Sequence, residues 1–462
     1  MIRILNVYYP TRTLILAFSE VLIIYVCFLL TITFFKSEAA LFLAYEDGFY
    51  RIDVVCAVLV VCLYYHDLYD SLVVCDATDL LTRLAGSLGA ACAVTGVLYY
   101  VFPALRLRFS LIVFGFLLTG LMLGAWRKAF LLLNRSERWA EPAVLLGTGS
   151  LAASLSSEIK KRPVWAFRLV GHVGEAPMSS AEMDGLPWLG EIEDLAVLVQ
   201  QRRIRRVILA MNERRGRMPL EILLQLKARG VIIHDGSDLY EALTGKVALH
   251  PSRLTWLLLS PGFQVSSVRL VYKRVASFVL AACCLILTLP LMVLIAFAIL
   301  LDSKGPVLFR QERVGQNGKR FKLNKFRTMR VGADSDGQFR PAQPKDARVT
   351  SVGRWLRRFR LDELPQLFNI IIGDMYFVGP RPFVPSQEEE CAANIPFYSQ
   401  RWSIKPGATG WAQVKRGYCA SLEDNAEKLA YDLFYIKNMS TGLDLLITFQ
   451  TFKTLLLARG GR

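Results

Sequence analysis

What this chain has little of narrows its chemistry before any motif is read. Its nine cysteines show no CxxC spacing, and six of them (Cys27, Cys56, Cys62, Cys92, Cys283 and Cys284) fall in apolar stretches. They read as small buried hydrophobes in a reducing setting, not as a disulfide framework. Histidine is scarce: His66, His172, His234 and His250 are the only four, and none follows residue 250. A histidine triad or zinc site in the C-terminal part is thereby excluded. That part also lacks a Tyr-x-x-x-Lys pair and a second glycine-rich dinucleotide turn. Acid is the minority charge, 39 Asp and Glu against 55 Lys and Arg, and a net charge of +16 favours anionic partners. Nucleic acid is the weakest of these, because the charge sits beside apolar segments and no zinc-finger or RNA-recognition signature occurs.

Apolar sequence, by contrast, is abundant. Hydrophobic residues make up 53% of the 462, which leaves room for two or three domains and predicts membrane segments. Thr13–Phe35 is interrupted only by Glu20 and is long enough to cross a bilayer. It is too long for a signal-peptide core and lacks a small-residue cleavage site, so it is expected to be retained. Ile52–Leu68, Leu84–Phe102 and Phe109–Trp126 are further candidates, giving an α-helical bundle of four transmembrane helices over residues 1–130. Glu20 reads as a polar contact within the bundle, not a transport residue. The cluster Arg127, Lys128, Arg135 and Arg138 marks its side as cytoplasmic, with Arg106 and Arg108 in an outer loop acting against that orientation.

Residues 140–250 change character to an α/β Rossmann-like pattern. AVLLGTGSLAASLSSEI reads as strand, glycine turn and helix; FRLVGHVGE, IRRVILAM, the helical LEILLQLKARG and the strand VIIHDG follow. Gly147-Thr148-Gly149-Ser150-Leu151-Ala152 satisfies G-x-G-x-x-A at a strand-to-helix turn, where backbone N–H groups can receive a pyrophosphate. The acid expected about 20 residues on is not cleanly placed, Glu175 being late, and tight strand–helix packing is the rival explanation. No catalytic constellation accompanies this domain; a regulatory or homo-oligomer-forming role suits it better than catalysis.

Val275–Leu301 is almost wholly apolar and opens after Lys273-Arg274. As a straight helix it would run about 40 Å, more than the roughly 30 Å hydrocarbon layer. Pro290 near its middle favours a kink. A re-entrant helix over residues 275–301 keeps both soluble parts on one side of the membrane; an ordinary kinked span is the alternative.

The most informative stretch is SVGRWLRRFRLDELPQLFNIIIGDMYFVGPRP, residues 351–382, preceded by residues 302–330 with nine Lys and Arg against two acids. Gly353–Arg360 is expected as a short helix. Leu361-Asp362-Glu363-Leu364-Pro365 is expected to open the next one, with Asp362 at or near the N-cap and Pro365 in the first turn. Such a helix opening is ordinary. The functional alternative is an Asp362 kept ionised by the helix dipole and by Arg357, Arg358 and Arg360, acting as a nucleophile toward phosphorus if a metal offsets the repulsion. Glu363 would then share the metal or handle a proton. FKLNKFRTM reads as a strand projecting Lys325 and Arg327 to one face, where solvated charge or headgroup contact are the competing roles. Arg381, between two prolines, aims a planar fork at phosphate. The glycine-rich turn Lys405-Pro406-Gly407-Ala408-Thr409-Gly410-Trp411 offers backbone N–H groups to the same end.

At these residues the chain, from Lys273 onward, resembles the bacterial monotopic phosphoglycosyl transferases, the polyprenyl-phosphate sugar-1-phosphate transferase family. The matching blocks are KR at 273–274, GPVLFRQERVG at 305–315, KFRTM at 325–329, LDELPQLFN at 361–369, GDMYFVGPRP at 373–382 and KPGATGWAQV at 405–414. With four spans and a Rossmann-like domain ahead, the whole looks like the long form seen in exopolysaccharide operons. The resemblance implies a mainly α monotopic catalytic domain over 268–462, on the cytoplasmic face of the bacterial inner membrane. It implies that Asp362 attacks the sugar-bearing phosphate of a UDP-sugar, releasing UMP, and that polyprenyl phosphate (undecaprenyl phosphate) then takes the phosphosugar. It further implies Mg²⁺ at Asp362 and Glu363, with Arg357, Arg381, Lys325 and Lys405 holding substrate. One departure concerns the membrane helix, where the family often shows Ser-Pro: here Leu289 precedes Pro290 and Thr288 lies one further back. Two other functions fit parts of the chain. A membrane-anchored nucleotide-sugar dehydratase or epimerase would share the first two domains, and a scaffold of a polysaccharide export complex would need no catalytic carboxylate.

Overall fold

The structure is a computed structural model and describes residues 2–36, 38–70, 77–135, 140–162, 165, 167–174, 183, 185–211, 218–249, 262–263, 266–332, 346–416 and 421–456. Arg138 and Glu175 lie outside the described residues. The chain divides into two compact units, one formed by Met1–Arg3 and Tyr8–Leu239, the other by Ile4–Val7 and Tyr240–Arg462.

In the first unit four long apolar helices, α1 (Thr11–Phe35), α2 (Gly48–Tyr65), α3 (Ala77–Val101) and α4 (Phe109–Arg135), contain candidate membrane spans. Each buries one stripe: Ile24, Phe28 and Ile32 of α1 meet Val55, Leu59 and Leu63 of α2 and Leu111 and Leu123 of α4. Their outer faces carry exposed Phe18, Leu22, Leu117 and Leu121, the all-round apolarity of helices solvated by lipid. Glu20 is fully buried; its Oε2 accepts from Arg127 Nη2 (2.8 Å) and from the Tyr69 hydroxyl (2.6 Å), Arg127 Nε lies 2.7 Å from Oε1, and Arg127 Nη1 donates to the Leu68 carbonyl (2.9 Å). The polar-contact reading of Glu20 therefore holds, but Arg127 has to be withdrawn from the cationic cluster because it is spent inside the bundle. Arg106 likewise donates to the Tyr99 carbonyl at the end of α3 (2.8 Å), so it is a helix cap and not a free loop charge.

The same unit holds a five-stranded parallel sheet, β1 (Glu141–Leu146), β2 (Phe167–Val173), β3 (Trp188–Gly190), β4 (Arg206–Leu209) and β5 (Ile232–Asp235), in the order β3-β2-β1-β4-β5. That order is the Rossmann half-sheet. The short β3 carries no sequence signal of its own. The predicted glycine turn follows β1 and opens α5 (Ser150–Lys160), with Gly147 at φ +117° and Gly149 at φ +129°. A Cβ on Gly147 would lie 2.5 Å from the Met211 amide nitrogen, so close backbone packing alone demands this glycine.

The second unit is built on α6 (Ser267–Asp302), 36 residues and about 54 Å long. It runs unbroken through Pro290, so the proline does not end it. Pro290 offers no amide to the Ile286 carbonyl, and the Thr288 hydroxyl donates nearby to the Cys284 carbonyl (2.7 Å). One face of α6 packs along its whole length. Ala281 meets Leu367, Ile370 and Met375, and further on Met292, Ile295 and Ile299 meet Phe326 and Leu356. The other face is apolar and bare, with Ile286, Leu287 and Leu301 75%, 80% and 90% exposed. At its two ends Lys273 is buried against Tyr435 and Asp444 (2.7 Å), and Arg327 donates to the Ser303 carbonyl (2.6 Å). Around α6 lie the hairpin β6 (Leu308–Val314) and β7 (Arg320–Phe326), helices α7 (Ser351–Arg358) and α8 (Gln366–Ile372), and the parallel pair β8 (Tyr376–Val378) and β9 (Gly407–Thr409). The C-terminal α9 (Leu422–Lys437) and α10 (Thr441–Leu456) complete a separate core around Trp411, Tyr435 and Phe434.

Candidate active site

The site is assembled by two short helices and the turn between them. The Thr350 side chain caps α7 by accepting from the Gly353 amide (3.0 Å). Gly353 lies so near β7's extension that a Cβ would stand 2.2 Å from the Thr328 carbonyl oxygen. This contact seats Arg357, whose Nε donates to the Thr328 hydroxyl (2.9 Å). Arg360 then adopts a left-handed backbone (φ +54°) and turns the chain into a single 3₁₀ turn, Leu361–Glu363. Pro365 follows as the N-cap of α8. The expected placement of Asp362 at the N-cap with Pro365 in the first turn is therefore corrected. The reversal at Arg360 gives Asp362 and Glu363 a turn of their own ahead of the helix.

Both carboxylates are partly buried there, in different circumstances. Glu363 is gripped by the Arg381 fork, Nη2 to Oε1 at 2.5 Å and Nη1 to Oε2 at 3.3 Å, and by Lys325 Nζ at 3.4 Å. Burial by itself would raise the Glu363 carboxyl, but Arg381 and Lys325 outweigh it and hold the group well below the ordinary carboxylate range. No hydrogen bond reaches the Asp362 carboxylate among the described residues. Burial, and then the Glu363 charge, push Asp362 upward against the pull of Lys325, Arg357 and Arg381. Burial also lowers Lys325, which Glu363 partly restores. The dipole-ionised Asp362 of the sequence reading thus gives way to a carboxyl whose charge state is balanced between desolvation and three cations.

Lys325, Arg357, Arg381, Asp362 and Glu363 lie close together. Arg327 does not join them: β7 ends at Phe326, and Arg327 is buried against Ser303 and Lys304 carbonyls at the end of α6. Lys405 also has another place. It donates to the Gly373 carbonyl (2.7 Å) past the C-terminus of α8, about 10 Å of helix away from the carboxylate turn. The glycines after it serve close backbone contact. The Gly407 amide donates to the Pro380 carbonyl (2.9 Å), and a Cβ on Gly407 or Gly410 would lie within 2.2 Å of Gly379 backbone atoms. The phosphate cradle suggested for this turn is therefore not built by Gly407, whose N–H is already used.

Three residues escaped the sequence reading. Asn369 is buried and satisfies its whole amide: Oδ1 accepts from Asn324 N (3.0 Å) and Nδ2 (3.1 Å), while Nδ2 donates to Lys322 O (2.8 Å) and Asp374 (3.1 Å). It thereby bolts α8 to the strand carrying Lys325. Thr328 holds Arg357, and Arg313 donates to the Pro382 carbonyl beside Arg381 (3.3 Å). Asn369 and Arg313 lie inside quoted motifs, yet nothing local to either announces its partner.

Among the described residues no group of three or more His, Cys, Asp or Glu stands ready for a metal. Two adjacent carboxylates do fit the way Mg²⁺ is held, by one or two carboxylates with substrate phosphates and water completing the shell. Since Arg381 and Lys325 occupy Glu363, Asp362 is the better-placed ligand.

The family described as bacterial sugar transferase matches residues 268–458, and that described as a CoA-binding domain matches residues 65–234. The chain is 42% identical over 226 residues to UDP-N-acetylgalactosamine-undecaprenyl-phosphate N-acetylgalactosaminephosphotransferase of Aeromonas hydrophila, covering 48% of this chain and 52% of that one. It is 34% identical over 312 residues to UDP-glucose:undecaprenyl-phosphate glucose-1-phosphate transferase of Klebsiella pneumoniae, covering 66% and 65%. A Caulobacter vibrioides protein with that same activity in its name is 43% identical over 219 residues, 46% of this chain and 82% of the relative. The chain thus spans about half to two thirds of the length of the first two relatives.

Proposed function

The chain belongs to the bacterial sugar transferase family, and on that premise we propose that it moves a sugar-1-phosphate from a UDP-sugar to undecaprenyl or another polyprenyl phosphate. UMP leaves, and the lipid diphosphate-sugar starts an exopolysaccharide or related glycan. One observation carries the chemistry: of two neighbouring carboxylates, Glu363 is committed to Arg381 and Lys325, while Asp362 stands among the same cations without a hydrogen bond among the described residues.

In the first step an Asp362 oxygen bonds to the sugar-bearing phosphorus, and the bond from that phosphorus to the bridging oxygen breaks, so the electron pair departs with UMP. In the second, an oxygen of polyprenyl phosphate bonds to the same phosphorus and the Asp362–phosphorus bond breaks, regenerating the carboxylate. Arg357, Arg381 and Lys325 bind and orient the phosphate oxygens and oppose the charge that builds on them. Glu363 keeps Arg381 and Lys325 aimed between steps. Mg²⁺ bound at Asp362 would screen the repulsion between carboxylate and phosphate.

The membrane seat follows from α6. Elements of the same unit pack against both its halves, and with a bend at Pro290 the helix would enter and leave the same leaflet instead of crossing to the far side. Its bare apolar face then meets lipid, and we place the unit on the cytoplasmic face of the inner membrane, where nucleotide sugars are available. Replacing Asp362 by Asn should abolish UMP release from UDP-sugar in membranes supplied with polyprenyl phosphate and Mg²⁺, while insertion persists. Near-normal turnover would overturn the assignment of Asp362 as the nucleophile.

A further inference from the structure

Arg381 lies on a loop without regular structure, and the residues on either side of it, Pro380 and Pro382, have no amide hydrogen. Such a loop can be anchored mainly through its carbonyls, and each is taken. The Pro380 carbonyl accepts from the Gly407 amide (2.9 Å) and the Pro382 carbonyl from Arg313 (3.3 Å). The carbonyl of Arg381 itself accepts from Arg401 Nη2 at 2.9 Å. Arg401 is 4% exposed and sits in a charge cluster apart from the carboxylate turn. Its Nη1 donates to Glu388 Oε1 (3.2 Å) and to the Tyr398 hydroxyl, and its Nη2 donates to Asp432 Oδ2 (3.0 Å). Glu388 in turn accepts from the Phe383 amide (3.2 Å) and from Trp402 (2.9 Å), and the Arg401 guanidinium lies over the Phe383 ring (4.6 Å).

A buried guanidinium with two carboxylates is neutral to negative as a group and needs no third acceptor for its charge. Its bond to one particular loop carbonyl is a geometric device. We propose that Arg401 is a positioning residue, fixing the backbone of Arg381 so that the Arg381 fork meets Glu363 and the substrate phosphates. Lysine cannot replace it: an ammonium lacks the planar fork that serves Glu388, Asp432 and the Arg381 carbonyl together. This rests on the transferase reading for its kinetic arm only.

The test uses Arg401→Lys in the full-length protein. Hydrogen exchange, followed by mass spectrometry, should show the segment 376–384 losing protection at least tenfold, with helix Leu422–Lys437 unchanged. In the kinetic arm, KM for the UDP-sugar should rise by about tenfold. The double variant with Arg381→Ala should be no worse than Arg381→Ala alone, because Arg401 acts through Arg381. Equal loosening of Leu422–Lys437, or losses that multiply in the double variant, would show a merely structural role and overturn the proposal. If Arg401→Lys does not fold, Glu388→Gln, which keeps the shape but weakens the hold on Arg401, is judged by the same criteria. Absence of UMP release by the unmodified protein would instead defeat the transferase reading, leaving the exchange result to decide on Arg401.

Discussion

The contact between Arg381 and Glu363 lends itself to a double-mutant cycle, with Arg381→Ala and Glu363→Gln as the single changes. Breaking a deeply buried ion pair from one side costs about 3–5 kcal/mol, because a charge is left desolvated and alone. Here the side chains retain 32% and 19% of their exposure, so water recovers part of that loss. Lys325 at 3.4 Å also remains beside Glu363 when Arg381 is removed. About 1–3 kcal/mol per single variant is the reasonable scale, which for a unit of this size lowers Tm by roughly 2–10 °C. Because the two side chains share a bidentate contact, the double variant should lose less than the sum, with a coupling of about 1–2 kcal/mol. Thermal unfolding of the detergent-solubilised protein measures it. Coupling within about 0.3 kcal/mol of zero would mean that the fork and the carboxylate do not act as one unit. The account of why Asp362 rather than Glu363 is left unengaged would then fail.

Two further outcomes follow from the same geometry. Gly353→Ala puts a methyl 2.2 Å from the Thr328 carbonyl oxygen, a backbone atom that cannot swing aside. It should cost about 1–3 kcal/mol and weaken UDP-sugar turnover through the displaced Thr328–Arg357 contact, whereas Gly96→Ala, within α3 and with nothing within 4 Å, should leave turnover nearly intact. Burial raises Asp432 to about 6, ahead of the opposing pull of Arg401. A raised carboxyl favours folding while protonated, so this contribution is full below about 4 and fades as pH climbs through about 6. The Tm gap between the parent and Asp432→Asn should therefore change between pH 4 and 7 by the equivalent of about 2–3 kcal/mol, in the parent's disfavour at the higher pH; a constant gap would contradict the assignment.

Much of this was legible in the sequence where chemistry and spacing are local. Asp362, Glu363 and the basic residues that flank them lie in short, biased stretches, and the four apolar runs needed only length. The glycine turn after β1 was also visible, although its cause is the approach of Met211. What failed were inferences about where a charge points. Arg127, Arg327 and Lys405 each looked like surface or substrate cations, and each finds a partner supplied by the fold: Glu20, the end of α6 and the end of α8. No periodicity reports a pairing across 107 residues, and a glycine needed for backbone approach looks the same in sequence as one needed for a phosphate.

The pair of Glu20 and Arg127 has a bearing on how the protein is made. The ribosome delivers the acid long before the base, so the first helix must leave the translocon, or wait beside it, with a carboxyl that has no counterion. An ionised carboxylate at the centre of a membrane helix costs about 3 kcal/mol, so until its base arrives the acid is held as the neutral carboxyl. The opening helix is thus provisional until the fourth arrives to pair with it, and the bundle is sealed last to first.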